Sequence, residues 1–255
     1  MLELVLAEKI YGRHRLRKLE RFGHEVMRYI QDLEIEVVDF ELFKGWVRVK
    51  ISGQDEVAAA NFIRKIYGEV RSLSEISPGD VLKGFARDVG KVGYGLYLDS
   101  FIEDKDALIP LYSLRESLTA GKRLSLRTIV KHFGITENMP LEFEVRKVED
   151  KKVEGALSQS QVEDFLEIMR RGLDVLVVTG ALREEIERAL TRSGHRIDVI
   201  RIERLSFLCH RLICKEDTMA LGLIPELGPY LSESLFGVFS PRRVIKSLKI
   251  GYYQF

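Results

Sequence analysis

Ser77-Pro78-Gly79-Asp80 leads into Val81-Leu82-Lys83-Gly84-Phe85-Ala86-Arg87-Asp88, and a glycine-bearing turn later the chain reads Val92-Gly93-Tyr94-Gly95-Leu96-Tyr97-Leu98-Asp99. The opening residues make a turn, with φ set at Pro78 and freed at Gly79. Both runs that follow alternate in polarity and carry glycines where a strand must bend sharply, which predicts two adjacent strands of a small barrel. Asp106-Ala107-Leu108-Ile109-Pro110-Leu111 predicts a third strand after an acidic loop. Leu141 to Val148 alternates again, and Val153-Glu154-Gly155-Ala156-Leu157-Ser158 follows the charged turn Glu149-Asp150-Lys151-Lys152, completing five. Five antiparallel strands closed on themselves would leave no exposed edge.

The order of these features resembles the S1 family of OB barrels. Gly79-Asp80 starts the module, Tyr94-Gly95 opens its second strand, Tyr97 with Asp99 follows, and Leu157-Ser158 closes it. The resemblance implies single-stranded nucleic-acid binding, with Tyr94 and Tyr97 where such domains place base-stacking rings. Phe85 would assist the stacking, and Lys83, Arg87, Lys91 and Arg146 would hold phosphates. Two features depart from the pattern: Pro110 stands where many S1 domains have a histidine, and Arg115 to Met139 is a long insertion, read as a helical lid outside the barrel closure. The chain as a whole resembles an uncharacterised archaeal family of unknown function.

Outward from the barrel, residues 1–73 predict a βαββα unit. Leu2 to Leu6 is a strand, and Leu16, Leu19, Phe22, Val26 and Ile30 fall at helical spacing within Arg15 to Leu33. A hairpin turns at Phe43-Lys44-Gly45, and a helix follows from Asp55 as N-cap to about Gly68. Residues 74–163 hold the barrel, and 164–255 a second α/β domain. In that last domain the reading is a helix to Arg171, a strand Leu173–Val178, a helix Leu182–Ser193 closed by Gly194, and strands at Ile197–Ile202, Leu205–Cys214 and Met219–Leu223. The expected fold class is therefore α+β and multidomain, an S1-like barrel between two small α/β domains.

Composition bounds the function. The chain has 255 residues, 45% of them apolar and 31% charged, with 40 basic against 39 acidic side chains. Balanced charge gives no global pull toward a polyanion, so nucleic-acid binding would need local patches. One such patch is the N-terminal helix region, with Arg13, Arg15, Arg17 and Lys18 leading a cationic run in which each phosphate contact would steepen salt dependence. The alternative is a solvated helix face. The tail Ser240 to Phe255 mixes cations with aromatics, and reads either as an RNA-tracking surface or as a final strand burying Val244, Leu248, Ile250 and Tyr252.

Catalytic and metal signals are thin. Cys209-His210 with Cys214 lacks the second ligand pair that a zinc site requires, and strand alternation there predicts buried cysteines. Val178-Thr179-Gly180 offers one glycine before a helix, short of a phosphate loop, and reads as an ordinary βα turn. His132 lies in a segment that looks like the first half of a helix-turn-helix, but no recognition helix follows. The sequence thus predicts a non-enzymatic, cytoplasmic RNA-binding protein without cofactor, metal or membrane span, with the ribosome or RNA polymerase machinery as prospective partners. A protein-interaction module of the same apparatus is the alternative.

Overall fold

The computed structural model describes residues 1–103, 105–150 and 152–248. Its elements group into two bodies, one of Met1–Ser72 with the Phe101–Glu103 stretch, the other running from Leu73 through the remainder. The class is α+β.

The first body is βαββα: β1 (Leu2–Lys9), α1 (Arg15–Tyr29), β2 (Ile35–Phe43), β3 (Trp46–Gly53) and α2 (Glu56–Tyr67). The sheet order is β1-β3-β2, antiparallel throughout. Lys44 and Gly45 both take positive φ, 53° and 89°. This is the geometry of a tight hairpin turn whose twist matches the flanking strands. Leu4, Leu6, Val47, Val49 and Ile51 are buried, while on the opposite face Arg48 bridges Glu3 and Glu41. This alternation is what a sheet with one packed face requires. Asp55 does occupy the N-cap of α2, but its carboxylate accepts from the Glu34 N–H at 2.9 Å instead of capping its own helix.

The apolar stripe of α1 differs from expectation at its first turn. Leu16 is 79% exposed and Lys18 takes the inward place, 8% exposed, its Nζ donating to the Tyr11 carbonyl at 3.3 Å. Phe22, Val26 and Ile30 are buried as their spacing predicts.

The second body opens with β4 (Val81–Arg87), β5 (Gly95–Asp99), β6 (Asp106–Pro110), α3 (Leu111–Thr119), α4 (Leu126–His132), β7 (Pro140–Glu149) and β8 (Lys152–Leu157). The five strands close into an OB-like barrel in the order β4-β5-β6-β8-β7. Four of its seams are antiparallel, but β6 and β8 pair in parallel, which corrects the all-antiparallel expectation. Direction cannot alternate around a ring with an odd number of strands, so one parallel seam is unavoidable. Side chains of Leu82, Leu96, Leu98, Ile109, Leu141, Phe143 and Val145 are buried. A Cβ on Gly84 would meet Leu98 Cβ at 2.8 Å, so the interior has no room for a larger residue there.

The insertion is helical, as the sequence predicts, although it begins at Leu111. α3 packs on β5, β6 and β8, whereas α4 reaches a different strand, described next. Ser158, read as the end of the last barrel strand, is the N-cap of α5 (Gln159–Arg171), its hydroxyl accepting from the Gln161 N–H at 3.1 Å. A serine there satisfies one of the backbone donors that the first helical turn leaves unpaired.

After α5 come β9 (Val175–Thr179), α6 (Arg183–Ser193), β10 (Val199–Ser206), β11 (Cys209–Cys214), α7 (Ala220–Leu227), β12 (Leu235–Phe239) and α8 (Pro241–Leu248). The antiparallel sheet has the order β10-β11-β9-β12. Two expectations fail here. Met219–Leu223 is no strand: Ala220, Leu223 and Leu227 are buried at helical spacing in α7. Among the described residues the tail is a helix rather than the expected strand, because Pro241, Val244 and Leu248 form the inner face of α8; Ile250 and Tyr252 lie outside the described residues.

The edge strand β12 is where the insertion docks. Phe133 of the α4 turn bridges Phe239, and the rings of Phe133, Phe165 and Phe239 cluster at 5.1 to 5.8 Å. The insertion, α5 and the C-terminal sheet thereby meet in one aromatic cluster. No helix among the described residues is long and apolar enough to cross a membrane.

Candidate nucleic-acid interface

Pairing across the barrel places Arg87 beside Tyr97, Tyr97 beside Leu108, Leu108 beside Glu154 and Glu154 beside Lys147. In a strand, successive side chains point to opposite faces, and the buried residues flanking these five fill the interior. The row therefore lies on the outer wall. Tyr94, just before β5, is 58% exposed and joins the row through a 2.6 Å hydrogen bond between its hydroxyl and that of Tyr97. The two rings stand edge to face, 6.1 Å apart at 88°. That bond to Tyr94 is the main cause that pushes the Tyr97 phenol pKa up.

Sequence reasoning missed a third tyrosine. Tyr112, in the first turn of α3, is 64% exposed and donates to Glu154 Oε1 at 2.6 Å, which raises its phenol pKa. The only available signal was its place just after Pro110, where the strand reading ended too late. The outer wall thus gathers Tyr94, Tyr97, Leu108 and Tyr112, rings and an apolar side chain that can receive a flat partner.

Phe85 belongs to the same outward set by alternation, yet it is 1% exposed and presents no open ring face to a base. This corrects the stacking role expected for it. The neighbouring Lys83 Nζ lies 5.4 Å from the Phe85 ring centroid, and Lys83 shares a cavity of about 290 Å³ with Pro140, Arg204 and Leu205, so the C-terminal sheet approaches this part of the wall.

Three of the barrel cations expected to hold phosphates are met by carboxylates. Lys91 Nζ pairs with Asp88 at 2.5 Å, Arg146 with Glu144 at 3.1 Å, and Arg87 with Asp106 at 3.5 Å. The hydrogen bond between Lys91 and Asp88 raises the lysine pKa and lowers that of the aspartate. Exposed pairs of this kind are weak and screened by salt, so a phosphate can compete for each cation. On the first body, Arg13, Arg15 and Arg17 are exposed along with Arg21 and Arg28 of α1. Lys18 is not part of that face: its amine points inward to the Tyr11 carbonyl, which corrects its assignment as a phosphate contact.

Three family models cover this same succession of elements: the DUF2110 N-terminal domain over residues 3–73, the DUF2110 central domain over 76–169 and the DUF2110 C-terminal domain over 173–239. The chain belongs to the DUF2110 family. It is a family of unknown function, and no curated protein matches the chain. The DUF2110 central domain spans the OB-like barrel together with α5, and the C-terminal domain begins just ahead of β9.

The remaining candidate groups of this DUF2110 chain are internal. Cys209 and Cys214 have no exposed surface, and His210 between them is 2% exposed on the opposite face of β11 from Cys209. Burial pushes the Cys214 thiol up to about 12 and the His210 imidazole down to about 4. Thr179, read in a βα turn, is buried and shares a 2.7 Å hydrogen bond with Thr136 of the insertion. The start of α6 is closed by its own acid, with Glu185 accepting from the Leu182 N–H at 2.9 Å. An acid three residues into a helix commonly closes its first turn in this way.

Proposed function

We propose that this DUF2110 protein binds single-stranded RNA without catalysis, in translation, RNA processing or transcription, through the outer wall of a barrel that works as S1-type domains do. The observation that carries the reading is the hydrogen-bonded pair of exposed Tyr94 and half-buried Tyr97 on an outward row with Leu108 and Tyr112 nearby. Stacking on such rings tolerates any base, because every base has a π-face, and each stack is worth about 1–3 kcal/mol. The exposed arginines of α1 form a separate cationic face on the first body that suits phosphates in its own right. Buried Cys209, His210 and Cys214 support binding over chemistry, since a substrate has no access to them. A cytoplasmic location and ribosome or RNA polymerase partners belong to the same proposal.

Titrating labelled single-stranded oligonucleotides at several salt concentrations tests it. Tyr94→Ala and Tyr97→Ala should each weaken binding by about 1–3 kcal/mol and leave the salt slope unchanged. Arg13→Ala with Arg17→Ala should instead flatten that slope by about two units, one for each phosphate that the pair no longer neutralises. Melting temperatures measured alongside distinguish weaker binding from a damaged fold. Absence of binding by the native protein at low salt would end the nucleic-acid reading.

The carboxylate partners of Arg87, Lys91 and Arg146 favour a second reading, a protein-binding barrel in the same apparatus. Exposed aromatic side chains surrounded by a polar rim are the usual make-up of a protein interface. It takes the place of the first if the oligonucleotides fail to bind.

A further inference from the structure

The second body contains a cavity of about 800 Å³ that lies away from the tyrosine row. Its apolar side is formed by Ile135, Leu221, Ile224, Phe236 and Val238, from the insertion loop, α7 and β12. Two helices supply its polar side. Arg127 and Lys131 sit one turn apart on α4, Arg243 and Lys246 one turn apart on α8, and all four are exposed. Among the described residues, no acidic side chain lines the cavity and none of these four charged groups has an ion-pair or hydrogen-bond partner. On the barrel wall, by contrast, the cations of Arg87, Lys91 and Arg146 meet carboxylates.

A second observation is independent of the charges. His132, at the end of α4 and in the cavity lining, has a buried Nε2 with no hydrogen-bond partner. Leaving such an atom unsatisfied is costly, and native proteins rarely do so without a use for it. Burial, with Lys131 and Arg243 close by, lowers the pKa of this imidazole.

These features select among ligands by chemistry. Inorganic phosphate would satisfy the four cations and leave the apolar side empty. A fatty acid would fill the apolar side and the rim, but its chain has nothing to offer Nε2. A nucleobase is flat enough for Phe236 and Val238, its edge hydrogen-bonds, and its phosphate is an anion matched to clustered Arg and Lys. The volume is that of an ordinary small-molecule site. We propose that this cavity binds a phosphorylated nucleoside, with its phosphate on Arg127, Lys131, Arg243 and Lys246, its base against Phe236 and Val238, and the base edge on His132 Nε2, an atom with no exposed surface here that a turn of the half-buried imidazole brings to the ligand. The ligand is either a free nucleotide or the phosphorylated end of an RNA strand.

Calorimetric titration of the full chain with AMP, GMP, CMP and UMP tests the site, beside parallel titrations with inorganic phosphate and a 5′-phosphorylated oligonucleotide. At least one mononucleotide should bind with 1:1 saturation and at least about tenfold more tightly than phosphate. Lys131→Ala combined with Arg243→Ala, both at exposed positions, should weaken it about tenfold or more. His132→Phe keeps a ring and removes the orphaned nitrogen; it should weaken binding about three- to tenfold without lowering the melting temperature. Lys131→Ala with Arg243→Ala should weaken mononucleotide binding whether or not unphosphorylated oligonucleotides bind the barrel, so this proposal and the barrel reading fail separately. Competition by the phosphorylated oligonucleotide places the strand end in the site, and absence of competition assigns it to the free nucleotide; both support the site. No saturable mononucleotide binding at low salt, phosphate binding as tightly as the nucleotides, or an unaltered affinity in the double variant would each overturn it.

Discussion

His210 illustrates how one side chain sets a pH dependence. It is 2% exposed on β11, and burial, with Arg204 and Arg183 adding repulsion, brings its pKa from 6.5 down to about 4. Between those values the unfolded chain holds more protons than the folded one, so stability rises with pH there. The contribution is complete above about pH 6.5 and is lost as pH falls toward 4, about 3 kcal/mol in all. His210→Leu should therefore flatten the acid side of the denaturation-midpoint curve in that window, and a curve as steep as the native one would refute the assignment. The burial of both cysteines was legible from their apolar surroundings, but not from alternation: five residues apart, they lie on opposite faces of β11, an interior strand buried on both sides. Phe85 and Lys18 were not legible, because alternation states which wall a side chain joins and says nothing of what covers that wall.

At the scale of elements, the seam between insertion and edge strand depends on two glycines. Gly134 has φ +64°, and a Cβ there would lie 3.0 Å from Phe239 N; a Cβ on Gly237 would collide with the Gly134 carbonyl. Backbone cannot yield as a flexible side chain does, so Gly237→Ala should destabilise the second body by about 2–4 kcal/mol. Urea titration measures this, and a midpoint within error of the native one would show that the seam tolerates a methyl group. β12 itself was missed by sequence reasoning. Leu235-Phe236-Gly237-Val238-Phe239 is apolar throughout, so the apolar-polar alternation that betrays a half-buried strand is absent. The same ambiguity misled the reading of Met219–Leu223: an unbroken apolar run fits a strand or a helix equally well. Burial of Ala220, Leu223 and Leu227 chose the helix. In Pro241–Leu248 the decisive fact is that Val244 and Leu248 are inside while Arg242, Arg243 and Lys246 are exposed, a helical division that the expected strand period of two obscured.

At the scale of the whole molecule, the first body is completed by residues far along the chain. Phe101 is 1% exposed and bridges Arg71, the Ile102 carbonyl accepts from Lys44 Nζ at 3.1 Å, and Ser72 donates to Glu103 at 2.5 Å. The acidic loop between two barrel strands is thus a structural part of that body. Phe101→Ala should lower its stability by about 3–5 kcal/mol, the usual cost of emptying a buried phenylalanine site. Thermal unfolding followed near Trp46, the only tryptophan, reads the first body directly, and an unchanged transition there would contradict the packing. The sequence by itself determined the periods: alternation and glycine spacing specified the five barrel strands in order, and 3.6-residue spacing specified most of α1, α2 and α6. Tertiary structure decided the rest. It alone set the parallel seam of β6 with β8, closed the wall over Phe85 while leaving Tyr94 open, and drew α4 and α8 together around an unneutralised cavity. The physical reason is range: a period is a property of neighbouring residues, whereas exposure and charge pairing depend on what distant segments bring to the same place.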